Sequence, residues 1–278
     1  MSGSVQDGLR RLTQVLAQGR VDDPAREARL VLAHVLDVAP GRMTLMAPEA
    51  LAAADFEAAL TLGQRRVAGE PMAHLLGYRE FYGQRFAVDA RVLDPRPETE
   101  TLVNSALGVP FRRVLDLGTG SGCILLSLLA NRPEATGLGC DLSVDAVQVA
   151  RANAAKLGLT PRCEFIVSDW FEAVSGPFDM IVSNPPYIAA DEMSGLEREL
   201  HHEPRMALTD EADGLTAYRI IAAGAGDYLE PGGWLMVEIG WQQGAVVADL
   251  MRLEGFAGVS VLPDLDGRDR VVQAVWPG

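Results

Sequence analysis

The sequence predicts an α/β fold: a small N-terminal helical bundle, then a doubly wound domain whose mostly parallel sheet ends in an antiparallel hairpin. Three observations carry this. Residues 1–75 show apolar positions at helical spacing and little else. Beyond residue 95, short β-branched runs alternate with helical ones, the pattern of a sheet covered on both faces. The last two runs flank an Asp266-Gly267 turn, which folds the final strand back antiparallel to its neighbours. At 278 residues the chain buries a core without metal or disulfide staples.

In order, Asp23-Pro24 opens a helix, an N-cap acceptor followed by a proline whose missing N–H costs nothing there. Val31, Leu32, Val35 and Leu36 then make a buried stripe, and Phe56, Leu60, Gly63 and Val67 share one face of a further helix. Residues 76–94 read as a hairpin and linker punctuated by Gly83, with a domain boundary near residue 90. Asp94-Pro95-Arg96-Pro97-Glu98-Thr99-Glu100 reads as an extended, stiff connection, because two prolines bar a regular strand. Strands are expected over 113–117, 136–141, 163–167, 180–183, 234–239, 259–262 and 271–276. Helices are expected over 122–130 and 144–157 and again between 183 and 234.

Charge and cysteine usage narrow the function. Twenty-four Lys and Arg against 38 Asp and Glu give a formal charge of −14, which repels the phosphates that a nucleic-acid binder must neutralise. Cys123, Cys140 and Cys163 lack the spacing of a metal or redox pair and read as reduced, buried hydrophobes. The start lacks an apolar signal core and no run reaches the ~18 apolar residues of a membrane span, so a cytoplasmic protein is expected.

Val114-Leu115-Asp116-Leu117-Gly118-Thr119-Gly120-Ser121-Gly122 places a glycine-rich turn between the first strand and its helix, where doubly wound sheets bind nucleotides. The spacing is GxGxG rather than GxGxxG, and no Lys-Ser/Thr follows, so neither the dinucleotide nor the ATP/GTP phosphate loop is met. It suits a nucleoside with an amino-acid tail and resembles motif I of S-adenosylmethionine-dependent methyltransferases. Asp141, ending the next strand, can accept from ribose hydroxyls. Asp169, after Ser168, can accept from an adenine amino group, with Trp170 as a flat apolar wall.

Asn184-Pro185-Pro186-Tyr187 follows the fourth strand of the sheet. Asn184 Oδ1 and the Pro185 carbonyl can accept both protons of one NH2 group, and the prolines stiffen that backbone. A planar amide nitrogen so held against the Tyr187 ring directs its weak lone pair at an electrophilic methyl. The motif therefore predicts methylation of a planar NH2 nitrogen, either an adenine N6 amine or a glutamine side-chain amide. Charge favours glutamine, since adenine in a duplex must also be flipped out. A protein that senses the cofactor without turning it over is the non-catalytic alternative.

The sequence resembles the peptide chain release factor N5-glutamine methyltransferase family (HemK/PrmC) over nearly its whole length. Pro71 to Gly77, Glu80-Phe81-Tyr82-Gly83, Arg96-Pro97-Glu98-Thr99-Glu100, Asp116 to Gly122, Ser183 to Ile188 and Glu203-Pro204 with Ala207-Leu208 carry the resemblance. It implies a class I methyltransferase domain, Rossmann-like and seven-stranded, over 95–278, behind a helical substrate-recognition domain over 1–75. It also implies methyl transfer from S-adenosyl-L-methionine to the glutamine of the Gly-Gly-Gln loop of class 1 release factors; a ribosomal-protein glutamine is the alternative substrate. Carried over by position, Gly118, Thr119, Gly120, Ser121, Gly122, Asp141, Asp169, Trp170 and Asn184 contact the cofactor. Asn184, Pro185, Pro186 and Tyr187 contact the glutamine, with Asn184, Pro185 and Tyr187 catalytic. A monomer with no nucleic-acid or membrane partner is expected, and no metal, since His201-His202-Glu203 lacks ligand spacing. Asp94 and His202 depart from the family's usual aliphatic and aromatic residues; the first reads as a surface change and the second as a change in the glutamine pocket.

Overall fold

A computed structural model describes residues 3–196 and 198–278. The chain forms two compact units: one runs to Tyr78 and takes in a short stretch ending at His202, and the other is Arg79–Leu196 with Glu203–Gly278.

The first unit is helical, as its spacing predicts, apart from a two-residue antiparallel ladder between β1 (Gly3–Ser4) and β2 (Ala50–Leu51). Its helices are α1 (Val5–Gln18), α2 (Pro24–Val35), α3 (Ala53–Val67) and the short α4 (Met72–Leu76). Ser4 and Asp7 form a reciprocal capping box that satisfies orphan N–H groups at the start of α1. Asp23 caps α2 from a left-handed backbone, its carboxylate accepting from the Arg26 amide. Leu12, Leu16, Val31, Leu32, Met43 and Ala59 are buried together, while Val35 and Leu36 pack at the edge of that core.

One ion pair is set into this unit. Arg66 on α3 donates from Nε and Nη2 to both carboxylate oxygens of Glu27 on α2, at 2.7 and 3.0 Å, with both residues buried. Arg66 Nη2 also reaches Glu199 at 2.6 Å, which ties the 198–202 turn to the bundle. Arg66→Ala leaves Glu27 buried and uncompensated. It is expected to destabilise this unit by about 3 kcal/mol, whereas Glu199→Ala, whose carboxylate is part-exposed, costs about 1 kcal/mol or less. Urea unfolding followed by far-UV circular dichroism checks the difference.

The hairpin of β3 (Tyr78–Phe81) and β4 (Gln84–Ala87) opens the second unit from Arg79 onward and is followed by α5 (Glu100–Leu107). The sheet strands are β5 (Arg113–Leu117), β6 (Thr136–Asp141), β7 (Cys163–Val167), β8 (Phe178–Ser183), β9 (Leu229–Glu238), β10 (Ala257–Pro263) and β11 (Asp269–Val275). Between them lie α6 (Cys123–Asn131), α7 (Val144–Lys156), α8 (Thr216–Ala225) and α9 (Gly244–Leu253). The seven strands lie in the order β10-β11-β9-β8-β5-β6-β7. β5 to β9 pair in parallel, and β11 is antiparallel to both β9 and β10.

Strand parity sorts the core into two layers, because successive side chains point to opposite faces. Val114, Met180, Val182 and Met236 join Leu125, Leu128 and Val147 on one side; Leu115, Leu117, Ile181, Leu235 and Val237 join Ile221, Val247 and Met251 on the other. Burial on both faces explains the nearly continuous apolar runs of the central strands.

Two expectations from the sequence need correcting. The hairpin is no linker with a boundary near residue 90: Phe81 and Phe86 are buried in the first layer with α5 and α6, their rings edge to face. Asp94 is no surface change, being 3% exposed and paired with Arg79 and Arg96. The helices α5 and α9 form where no separate helix was expected. Asn153 on α7 joins hairpin to sheet: its Oδ1 accepts from the Ala87 amide, and its Nδ2 donates to the Ala87 and Ser121 carbonyls at 3.1 and 2.9 Å. Among the described residues, no helix is long and apolar enough to cross a membrane.

Candidate active site

The sheet order determines where the site forms. From β5 the chain steps outward through β6 and β7, then returns to the other flank of β5 as β8. That reversal opens a crevice at the carboxyl ends of β5 and β8, the usual ligand position in an open α/β sheet. The two strands end in register, Leu117 beside Ser183, and Ser183 Oγ donates to the Leu117 carbonyl at 2.7 Å. The glycine loop and Asn184 therefore leave adjacent strands side by side.

A cavity of about 460 Å³ occupies this position, within the range of small-molecule sites. Gly118, Thr119, Gly120, Ser121, Asp141, Asp169, Trp170, Asn184 and Pro186 line it. The sequence-predicted residues Gly122, Pro185 and Tyr187 do not. Gly122 starts α6 and packs against α7, where a Cβ would press on Ala150 and Leu126. Pro185 is buried. The Tyr187 ring, expected against the substrate nitrogen, packs instead with the second core layer, and burial pushes its hydroxyl up to about 12.

Backbone demands explain the loop's composition. Gly118 and Gly120 hold φ of +68° and +54°, a region that costs an L side chain energy, and a Cβ on either would meet open space. A ligand can thus approach the loop backbone closely. The Thr119 amide donates to the Cys140 carbonyl and its hydroxyl to Asp116 Oδ2. Asp116 is fully buried and its acid is pushed up to about 7, chiefly by that burial.

Asp141 accepts from the Gly120 amide through Oδ2 and from the Ser143 amide through Oδ1, both at 2.9 Å. Burial raises its pKa, and these two N–H groups oppose the rise. Each oxygen keeps a further lone pair for a ligand hydroxyl. Trp170 stands at φ +46°, uncommon for a bulky residue, and its carbonyl accepts from Ser168 Oγ at 2.9 Å. Asp169 is exposed at the cavity's edge.

The segment 184–187 is held at both ends. Asn184 Nδ2 donates to Thr99 Oγ1 at 3.3 Å. Gln243 Nε2 donates to the carbonyls of Tyr187 and Gly214 at 3.0 and 3.2 Å, while its Oε1 accepts from the Gly240 amide and the Tyr218 hydroxyl. Both ends of that amide are occupied. Gly214 has φ +74°, and a Cβ there would collide with the Tyr187 carbonyl.

Several residues in and around the cavity were not among the site residues expected from the sequence. Thr99, Cys140, Leu142 and the 204–207 turn line it, and Gln243 and Glu238 stand behind it. Leu142, which follows Asp141, is a detectable signal: an exposed leucine at a strand end. Of the charged turn at 96–100, Arg96 and Thr99 reach the cavity; Arg96 pairs with buried Glu203 at 2.6 Å, and Glu100 instead accepts from the Tyr82 amide. Burial pushes Glu203 up to about 7 despite Arg96. His202, expected at the glutamine pocket, is not among the lining residues; it groups with the helical unit.

Residues 7–77 match the PrmC N-terminal domain and residues 97–214 the methyltransferase small domain. The chain is 53% identical to the release factor glutamine methyltransferase of Cereibacter sphaeroides, over 98% of each chain. It is 46% identical to that of Rhodospirillum rubrum, over 91% of this chain and 79% of the relative. Among solved structures, a methyltransferase from Pyrococcus furiosus overlays with a TM-score of 0.56 at 15% identity, covering 77% of this chain and 98% of that one. The hMettl16 catalytic domain, in complex with the MAT2A 3′UTR hairpin 6, gives 0.60 at 17% identity over 75% of this chain and 82% of its own. These two share the fold, which by itself does not choose a substrate.

Gly214→Ala is expected to lower stability by about 1–3 kcal/mol, since it adds both a backbone strain and a clash at Tyr187. Gln243→Ala frees the Tyr187 carbonyl and leaves buried polar groups unpaired, at a cost of about 1–3 kcal/mol. Thermal unfolding of both variants measures these losses.

Proposed function

The chain belongs to the release factor glutamine methyltransferase family, and we propose from that premise that it methylates the N5 side-chain nitrogen of the glutamine in the Gly-Gly-Gln motif of class 1 peptide chain release factors. S-adenosylmethionine is the methyl donor, and the cavity fits it. The open space over Gly118 and Gly120 admits a ligand tail, Asp141 has free lone pairs, and Leu142 and Trp170 supply apolar walls. When bound, it supplies an electrophilic sulfonium methyl group. In this reading Gly118 to Ser121, Asp141, Asp169 and Trp170 hold it.

The observation that carries the reading is the position of Asn184 on the wall of the cavity that the glycine loop also lines. Its Nδ2 is committed to Thr99, which leaves Oδ1 as an acceptor. Asn184 Oδ1 takes an N–H proton of the substrate carboxamide and so orients its nitrogen. Positioning of this kind replaces a strong base, because the methylated amide nitrogen is acidic enough to lose its extra proton to water. Tyr187 acts from behind: its carbonyl, clamped by Gln243, fixes the end of the acceptor segment. Pro185 and Pro186 stiffen that segment.

The helical unit serves to recognise the release factor in this proposal, and the protein works in the cytoplasm as a monomer, without nucleic acid or membrane. The formal charge of −14 supports a protein substrate over a phosphate-rich one. Labelled S-adenosylmethionine and a purified release factor should place label on the Gly-Gly-Gln glutamine, read by mass spectrometry of the peptide; label in nucleic acid alone would overturn the reading. Asn184→Ala should lower turnover by about 10²–10³-fold, the scale of losing one preorganised polar group at a reacting centre. Cofactor binding by calorimetry should be largely retained.

A further inference from the structure

We propose that Thr99 and Glu238 are positioning residues that determine which end of the Asn184 amide faces the cavity. The inference rests on the glutamine reading above, in which Asn184 must offer its oxygen.

An asparagine amide is symmetric in shape and opposite in polarity at its two ends, so something must decide between them. Asn184 Nδ2 lies 3.3 Å from Thr99 Oγ1. A threonine hydroxyl has one proton, and here it hydrogen-bonds the Glu238 carboxyl. While Glu238 is ionised it can only accept, so the Thr99 proton is committed to it and the hydroxyl oxygen offers lone pairs to Asn184. The NH2 end is then drawn toward Thr99 and Oδ1 toward the cavity. When Glu238 is protonated it can itself donate, the Thr99 proton is released, and Asn184 can turn its oxygen to Thr99. The NH2 end would then face the substrate's own NH2 group, donor against donor.

The surroundings favour such a device. Thr99 and Glu238 are 2% and 1% exposed, so water cannot substitute for either partner. Glu238 Oε2 is buried without a hydrogen-bond partner, a costly arrangement that needs a reason. The groups that act on Glu238 come from every neighbouring element: Arg270 on β11, Arg96 and Glu98 before α5, Cys123 on α6, Tyr187 after β8 and Tyr218 on α8. Burial outweighs the two arginines and pushes the acid up to about 7, so its charge changes near neutral pH.

The test uses the full chain. In wild type, turnover on the release factor should rise with pH to a plateau as Glu238 ionises. Thr99→Val, which keeps the shape and removes the hydroxyl, should lower turnover about 10–100-fold and lose that acid limb. Its release-factor KM and cofactor Kd should stay within about twofold of wild type, because orientation matters to the reacting geometry. Thr99→Ser should restore turnover to within about threefold of wild type, and Glu238→Gln should reproduce the Thr99→Val loss. An independent readout needs no substrate: in the ligand-free protein the Asn184 side-chain amide resonances should titrate with an apparent pKa of about 7 and cease to do so in Thr99→Val.

An acid limb that persists unchanged in Thr99→Val, as it would if Glu203 or Asp116 produced it, overturns the proposal. So does an Asn184 resonance that ignores pH. If wild type fails to label glutamine, the functional reading fails by itself, and the ligand-free titration still decides the relay.

Discussion

The site depends on one constraint, the in-register parallel pairing of β5 and β8. With Leu117 opposite Ser183, the chain leaves both strands at the same height, and Ser183 Oγ fixes that height by donating to the Leu117 carbonyl. A one-residue slip would turn every side chain of β8 to the opposite layer, exchanging Ile181 with Met180 and Val182. The apolar packing of both layers therefore also holds Asn184 against the glycine loop. Stability and geometry have a common source here.

From that fixed edge the site is assembled by side chains whose bonding capacity is spent. Asp141 closes the glycine loop through Gly120, Gln243 clamps Tyr187 and Gly214, and Thr99 takes the Asn184 amide. Each supporting group comes from a different stretch of sequence and meets the site only because the sheet gathers their ends. A preorganised acceptor costs little reorganisation when charge develops, which is why such support matters to rate as well as to shape.

Much of this was legible in the sequence because it rests on local signals. The strands at 113–117, 136–141 and 163–167 show apolar runs bounded by turn residues, and they form as read. The GxGxG spacing reported a backbone need that Gly118 and Gly120 do have. What escaped depends on contacts remote in sequence. Gln243 looks like an ordinary loop polar residue until Tyr187 and Gly214 are brought to it. Glu238 ends an apolar strand and is buried, which nothing in its local sequence announces. Thr99 was hidden in a charged, proline-rich turn, and α5 begins directly behind it. The packing of the Tyr187 ring with the second layer was not legible, because the motif specifies its position in the chain but not which side of the sheet has room for it.

Asn153 carries a lesson about modularity. Its carboxamide spans α7, the end of the hairpin and the glycine loop, so three pieces of chain share one buried amide. An engineered swap or trimmed chain that discards the hairpin would leave that amide with one unmet donor and one unmet acceptor directly behind Ser121. The hairpin is therefore a buttress of the glycine loop, and any exchange of domains between relatives should keep the hairpin with the sheet by cutting close to Tyr78, the last residue of the first unit's main segment.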